Sequence, residues 1–217
     1  MNKDLTEIVV VLDKSGSMGS IRQDTIGGFN TFLNDQKELP GDAVFTFVTF
    51  DTEYRFVEQG TLLESVKELN TETYSPGGMT ALLDAVGKTI NDVISRHATL
   101  PEEDKPGQTI FVVLTDGEEN SSKEFLKAAD ISKMIKEREA AGWEILFLGA
   151  DIDAWGDGQK MGFSKSRGID KGDMYMNFSK MSNYTANYRS AGTADMNTFD
   201  LSQEELDKQM KDLKKKK

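Results

Sequence analysis

Three short stretches of the chain are apolar at every position: residues 8–12 (IVVVL), 110–114 (IFVVL) and 145–148 (ILFL). Each is rich in β-branched or aromatic residues, and each is followed closely by Asp or Gly. A run without polar alternation reads as a strand buried on both faces, as central strands of parallel sheets are. Residues 44–50 (VFTFVTF) lean towards alternation and predict a further strand. After Asp51-Thr52-Glu53, residues 54–57 predict an antiparallel edge strand.

Helical spacing fills the gaps. Leu82, Leu83, Val86, Ile90, Val93 and Ile94 recur three and four apart, the clearest amphipathic stripe in the chain. Ser20 with Gln23 predicts a capping box for a helix carrying Ile21, Thr25, Phe29, Phe32 and Leu33. Phe125, Ala128, Ala129, Ile131 and Ile135 predict another, with Ser121 or Ser122 as N-cap, ending before Gly142. Alternating strands and helices imply right-handed crossovers. The expected fold class is therefore α/β: a Rossmann-like, doubly wound, mostly parallel central sheet with helices on both faces.

The last third is less regular. Residues 173–178 alternate and predict an outer strand, with a helix over 182–191. Ser202 and Glu205 predict a capping box for a helix aligning Leu206, Met210 and Leu213 and ending in Lys214–Lys217. The domain expectation is one unit over residues 1–195, then an amphipathic helix and basic tail over 196–217.

Composition narrows the function. Of 217 residues, 26 are Lys or Arg and 37 are Asp or Glu, a net charge of −11. That balance disfavours nucleic acid and anionic membrane as partners, since both reward positive charge. The absence of cysteine excludes disulfides, thiol nucleophiles and cysteine-bound metals, and one histidine, His97, excludes a histidine cage. The N-terminal segment has acids where a signal peptide has bases, and no run approaches the ~20 apolar residues of a membrane span. A cytoplasmic protein is the expectation.

In doubly wound sheets ligands bind beyond the carboxyl ends of the strands. The segments placed there are Asp13-Lys14-Ser15-Gly16-Ser17 after the first run and Thr115-Asp116-Gly117 after residues 110–114. Gly77-Gly78-Met79-Thr80 precede the best helix. Asp13, Ser15, Ser17, Thr80 and Asp116 all offer oxygen, the donor that hard divalent cations select. Two carboxylates and three hydroxyls leave coordination positions to water, and an outside acid can replace a water.

These three segments, in this order on these elements, resemble the metal-ion-dependent adhesion site of von Willebrand factor A domains. The resemblance covers about residues 5 to 150; its extension to 190 stays open, because the region after Asp151 is where the chain departs from a clear match. It implies that Ser15, Ser17 and Thr80 ligate a metal directly, with Asp13 and Asp116 binding directly or through water. It also implies Mg²⁺ as the ion (Mn²⁺ or Ca²⁺ suit the same donors) and a partner protein's Asp or Glu completing the coordination. The implied role is an intracellular recruiter or assembly factor, in settings such as AAA+ ATPase or stress-related complexes.

Other readings stand beside this one. Asp13 could be the nucleophile of a Mg²⁺-dependent phosphohydrolase, but no second Asp follows two residues on and no base other than His97 is at hand. No phosphate-binding loop is present, and no enzyme activity is expected. The metal could instead brace the rim, with partners binding elsewhere. Asp51, Glu118, Glu119, Asp151 and Asp153 could crowd the same rim. Glu118 and Glu119 suit a helix N-terminus, and residues 151–157 read as a solvated acidic loop, with Asp153 capping a short helix, rather than a second cation loop. His97 reads as a helix-end or surface residue. Trp143 and Trp155 are candidate partner anchors near the rim.

Overall fold

The computed structural model describes residues 1–150 and 152–215. Its sheet has six strands: β1 Asn2–Asp13, β2 Asp42–Phe50, β3 Tyr54–Leu62, β4 Pro106–Thr115, β5 Glu144–Gly149 and β6 Lys165–Gly168. Their spatial order is β3-β2-β1-β4-β5-β6; β3 runs antiparallel to β2 and all other neighbours are parallel.

The unbroken apolar runs exist because both faces of the sheet are covered. On β1, Ile8, Val10 and Leu12 enter a core shared with helix α1 (Arg22–Glu38) and helix α5 (Met174–Ala191). Val9 and Val11 enter the opposite core, against α2 (Leu82–Thr99) and α3 (Ala128–Ala140). Helix α4 (Ile152–Lys160) lies on that second face, with Gly158 close against the Phe147 ring. Helix α6 (Gln203–Lys214) packs Met210 and Leu213 onto Ala186 of α5 and Leu39. The doubly wound α/β expectation is met. Strand β3 is the expected antiparallel edge, longer than residues 54–57.

Several local expectations are corrected. Residues 173–178 form no strand; α5 begins at Met174, capped by the Asp173 carboxylate accepting from the Met176 amide at 3.1 Å. Its apolar stripe is interrupted by the buried polar residues Asn177, Ser179, Ser182, Asn183 and Thr185, so Met174, Met176 and Phe178 imitate strand alternation. Ser20 and Gln23 form no capping box: the chain enters α1 straight from a 3₁₀ turn, Gly16–Ile21, without an extended capping residue. Nor do Ser121 or Ser122 cap α3, which starts at Ala128. The amides of Lys123, Glu124 and Phe125 are taken by the Asp84 carboxylate, which ties this stretch to α2 as a loop. The capping box of Ser202 and Glu205 is present as expected.

Trp143 is far from the rim. It precedes β5, at the sheet's opposite end, where it packs beside Phe111 and His97. His97 does end a helix but is no surface residue, since its Nε2 meets the fully buried carboxylate of Glu7, which also pairs with Arg96. Residues 152–160 are helical rather than an acidic loop. Asp151, named as a rim acid, lies outside the described residues, as do the side chains of Asp153 and Trp155. Among the described residues no helix is long and apolar enough to cross a membrane.

Candidate metal centre

The centre lies where the winding of the sheet changes direction. Strand β1 leads through α1 to β2 on one side, while its other neighbour, β4, leads through α3 to β5. The chains therefore diverge beyond the ends of β1 and β4, opening a crevice between Asp13 and Asp116.

Asp13 is the floor of this crevice and fully buried. Its Oδ1 accepts the Ser15 amide at 2.6 Å, which curls the loop so that Ser15 and Ser17 project to the same side. Its Oδ2 accepts the Thr115 hydroxyl at 2.5 Å. The Ser15 and Ser17 hydroxyls are 3.0 Å apart, and Ser17 Oγ donates to Asp116 Oδ1 at 2.6 Å. Thr80 arrives on a loop fastened to the first: the Gly16 amide donates to the Gly78 carbonyl and the Gly77 amide to the Lys14 carbonyl. Gly78 has φ +73°, a left-handed turn that suits glycine. Asn120 clamps Thr80 through reciprocal bonds, 2.8 Å to the Thr80 amide and 3.0 Å from its own amide to the Thr80 carbonyl.

Gly117 shows how the donors converge. A Cβ at this position would lie 2.8 Å from Thr80 Oγ1, 3.5 Å from Ser17 Oγ and 3.6 Å from Asp13 Oδ2. Oxygens of the first and second segments thus face one small space at Gly117 of the third, which only a side-chain-free residue leaves open. Ser15 and Asp116 adjoin it through Ser17, so the five expected residues are brought together. Asp13, Ser15, Thr80 and Asp116 are buried, while Ser17 is exposed at the mouth.

The electrostatics suit a cation. Burial pushes the Asp13 carboxyl up to about 6, against the hydrogen bonds from Thr115 and Ser15, and the charge of Asp116 adds to the rise. An ionised carboxylate held in so dry a position favours a positive charge beside it. Asp116 Oδ2 is buried and already attracts a positive charge, the Lys171 ammonium at 2.5 Å, without a hydrogen bond of regular geometry among the described residues. The donor set, two carboxylates and three hydroxyls, is the hard-oxygen set that fits Mg²⁺, Mn²⁺ or Ca²⁺. No group of three Asp, Glu or His suited to a metal occurs among the described residues, so the hydroxyls are indispensable to the set.

The other rim acids have separate tasks. Asp51 pairs with Lys14 and accepts the Glu53 amide at 2.6 Å. Glu119 accepts from the Leu83 amide at 2.8 Å, and so satisfies the N-terminus of α2 rather than that of a following helix. Glu118 is exposed. Four supporting residues were not foreseen. Tyr74 and Asn120 reach the site from loops without periodicity, and Lys171 from beyond β6. Thr115 had a usable signal, since it ends a buried strand directly before Asp116.

The fold and this rim define a class, α/β domains with an oxygen-lined crevice at the sheet's switch point. The chain belongs to the von Willebrand factor type A domain family, whose sequence profile it matches over residues 7–191. It is similar in structure to a von Willebrand factor type A protein from Catenulispora acidiphila, with TM-score 0.56 and 17% identity over 85% of this chain and 43% of that one. A second similar structure is the vWF domain of the type V pili tip protein Mfa5 from Porphyromonas gingivalis, with TM-score 0.59 and 10% identity over 82% of this chain and 93% of that one. A third is proximal thread matrix protein 1 from the mussel byssus, described with a zinc-occupied MIDAS motif. There the TM-score is 0.54 and identity 15%, over 84% of this chain and 46% of that one. The chain thus spans less than half the length of the first and third. No curated protein sequence matches it.

Proposed function

We propose that this chain is a metal-dependent protein-binding module. Asp13, Ser15, Ser17, Thr80 and Asp116 hold one divalent cation, Mg²⁺ in the simplest reading. Bound there, the ion supplies a Lewis-acidic position that an Asp or Glu of a partner protein can fill. The chain's residues do the rest: Asp13 provides buried charge, Thr115 and the Ser15 amide hold it still, and the exposed Ser17 marks the side open to a partner. The observation that carries this reading is the convergence of Thr80 Oγ1, Ser17 Oγ and Asp13 Oδ2 on the space beside Gly117. The zinc-occupied motif named for the mussel relative agrees with a divalent ion at such a rim.

Binding is favoured over catalysis. A phosphohydrolase built on Asp13 would want a second Asp two residues on, where Ser15 stands, and the one histidine, His97, is engaged with Glu7 at the other end of the sheet. A cytoplasmic assembly or recruitment role, beside an AAA+ ATPase or in a stress-related complex, remains part of this proposal.

The test is affinity capture with the full chain in Mg²⁺ or EDTA, with Asp13→Ala as control. The expected result is a partner retained in Mg²⁺ and released by EDTA or the substitution. A partner held equally in all three conditions contradicts the reading.

A further inference from the structure

We propose that Lys171 is a tethered cation that competes with a divalent ion for Asp116 and so weakens metal binding. The proposal rests on the metal-centre reading above. Lys171 Nζ lies 2.5 Å from Asp116 Oδ2 and donates to the Ser17 carbonyl at 3.0 Å. It therefore bridges the first and third segments of the centre. Asp116 is fully committed as a result, with Oδ1 to the Ser17 hydroxyl and Oδ2 to the ammonium.

The backbone beneath Lys171 is built to aim it. The Ile169 amide donates to the Gly149 carbonyl at 2.8 Å, anchoring the chain to the end of β5. Asp170 Oδ1 accepts the Gly172 amide at 2.8 Å, and the Asp170 carbonyl accepts Asn177 Nδ2 at 2.7 Å. Two residues on, Asp173 caps α5, and Met174 is buried in the core. The turn is fixed at both ends, whereas the side chain is about one-third exposed (36%) and can swing towards solvent.

Charge gives the consequence. Asp13, Asp116 and Lys171 together carry −1 when ionised; without Lys171 the donors carry −2. A divalent ion must either displace the ammonium or sit beside it, and both oppose binding. Screening at an open rim limits the effect to about tenfold in affinity.

The experiment is calorimetric titration of the full chain with Mn²⁺, comparing wild type, Lys171→Gln, Lys171→Arg and Asp13→Ala. Circular dichroism confirms that each variant is folded. The expected result is that Lys171→Gln binds about tenfold tighter, Lys171→Arg stays near wild type and Asp13→Ala does not bind. Unchanged or weaker binding by Lys171→Gln, with Asp13→Ala still silent, overturns the competition while leaving the metal centre intact. Tightening in Lys171→Arg equal to that in Lys171→Gln also overturns it, since the charge would then be irrelevant. Absence of binding in both wild type and Lys171→Gln overturns the metal centre and this proposal with it.

Discussion

The buried hydroxyl of Tyr74 donates to the main-chain carbonyl of Asp13 at 2.6 Å, tying the loop before Thr80 to the end of β1. Arg22 fixes that loop from the other side, donating from Nε to the Tyr74 carbonyl at 2.9 Å. Burial pushes the Tyr74 hydroxyl well above its ordinary range, with the charges of Asp13 and Asp116 adding to the effect, so it stays a donor. Tyr74→Phe strands a buried carbonyl acceptor and is expected to cost about 1–3 kcal/mol in urea unfolding. It should also weaken Mn²⁺ binding. Wild-type stability and affinity in this variant would show that the tie is idle.

Gly117 is expected to be the most selective position for separating the metal centre from the fold. In Gly117→Ala the new methyl enters the space shared by Thr80, Ser17 and Asp13. Mn²⁺ affinity should fall at least tenfold, while metal-free thermal unfolding shifts little, because the crevice is polar rather than core. Retained affinity would place the ion elsewhere.

Away from the rim, Glu7 organises a buried charge cluster with Arg96, His97 and the Thr46 hydroxyl. Burial raises its pKa, but the His97 hydrogen bond, the Arg96 charge and the Thr46 hydrogen bond outweigh burial and leave the group below the usual carboxylate value. A lowered folded-state pKa contributes stability that is present above the unfolded value, about 4.5 for Glu, and is lost as pH falls through the folded value. Glu7→Gln should therefore cost about 3 kcal/mol near pH 7, with the gap to wild type narrowing below pH 4. Chemical denaturation from pH 3 to 8 measures it; a gap independent of pH would contradict this assignment.

The helix pair α1–α5 depends on a close approach at Gly28, where a Cβ would collide with the Phe178 ring. Gly28→Val is expected to destabilise the chain by about 1–3 kcal/mol through overpacking. Gly27→Val, whose Cβ position meets nothing within 4 Å, should show only the smaller propensity effect. Equal losses in the two would remove the packing argument.

The sheet and its switch point were legible because residues 8–12 and 110–114 bury alternate side chains in two different cores, and only a covered sheet demands that. The five donors were legible for a related reason: Asp13, Ser15, Ser17 and Asp116 closely follow a buried strand, and Thr80 closely precedes the clearest helix. Helix α5 was not, because the buried polar side chains of Asn177, Ser182 and Asn183 hydrogen-bond inside the protein and so interrupt the apolar stripe. Asn183 Nδ2, for example, donates to the Ser179 carbonyl one helical turn back. Lys171 was hidden differently. Asp170-Lys171-Gly172 has the composition of a solvent turn, and only the placement of β6 beside β5 brings it to Asp116. The failed caps have separate causes: α1 continues directly from the 3₁₀ turn Gly16–Ile21, and the Asp84 carboxylate holds the amides of Lys123, Glu124 and Phe125 in a loop, so that α3 starts only at Ala128.

In the proposed module, five oxygen donors from three segments hold one hard ion. Anomalous diffraction from crystals soaked in Mn²⁺ tests it most directly. A single manganese peak is expected in contact with donors among Asp13, Ser15, Ser17, Thr80 and Asp116, and it should be lost in Asp13→Ala. An intact, well-ordered rim without such a peak, or a peak bound to other residues, would contradict it.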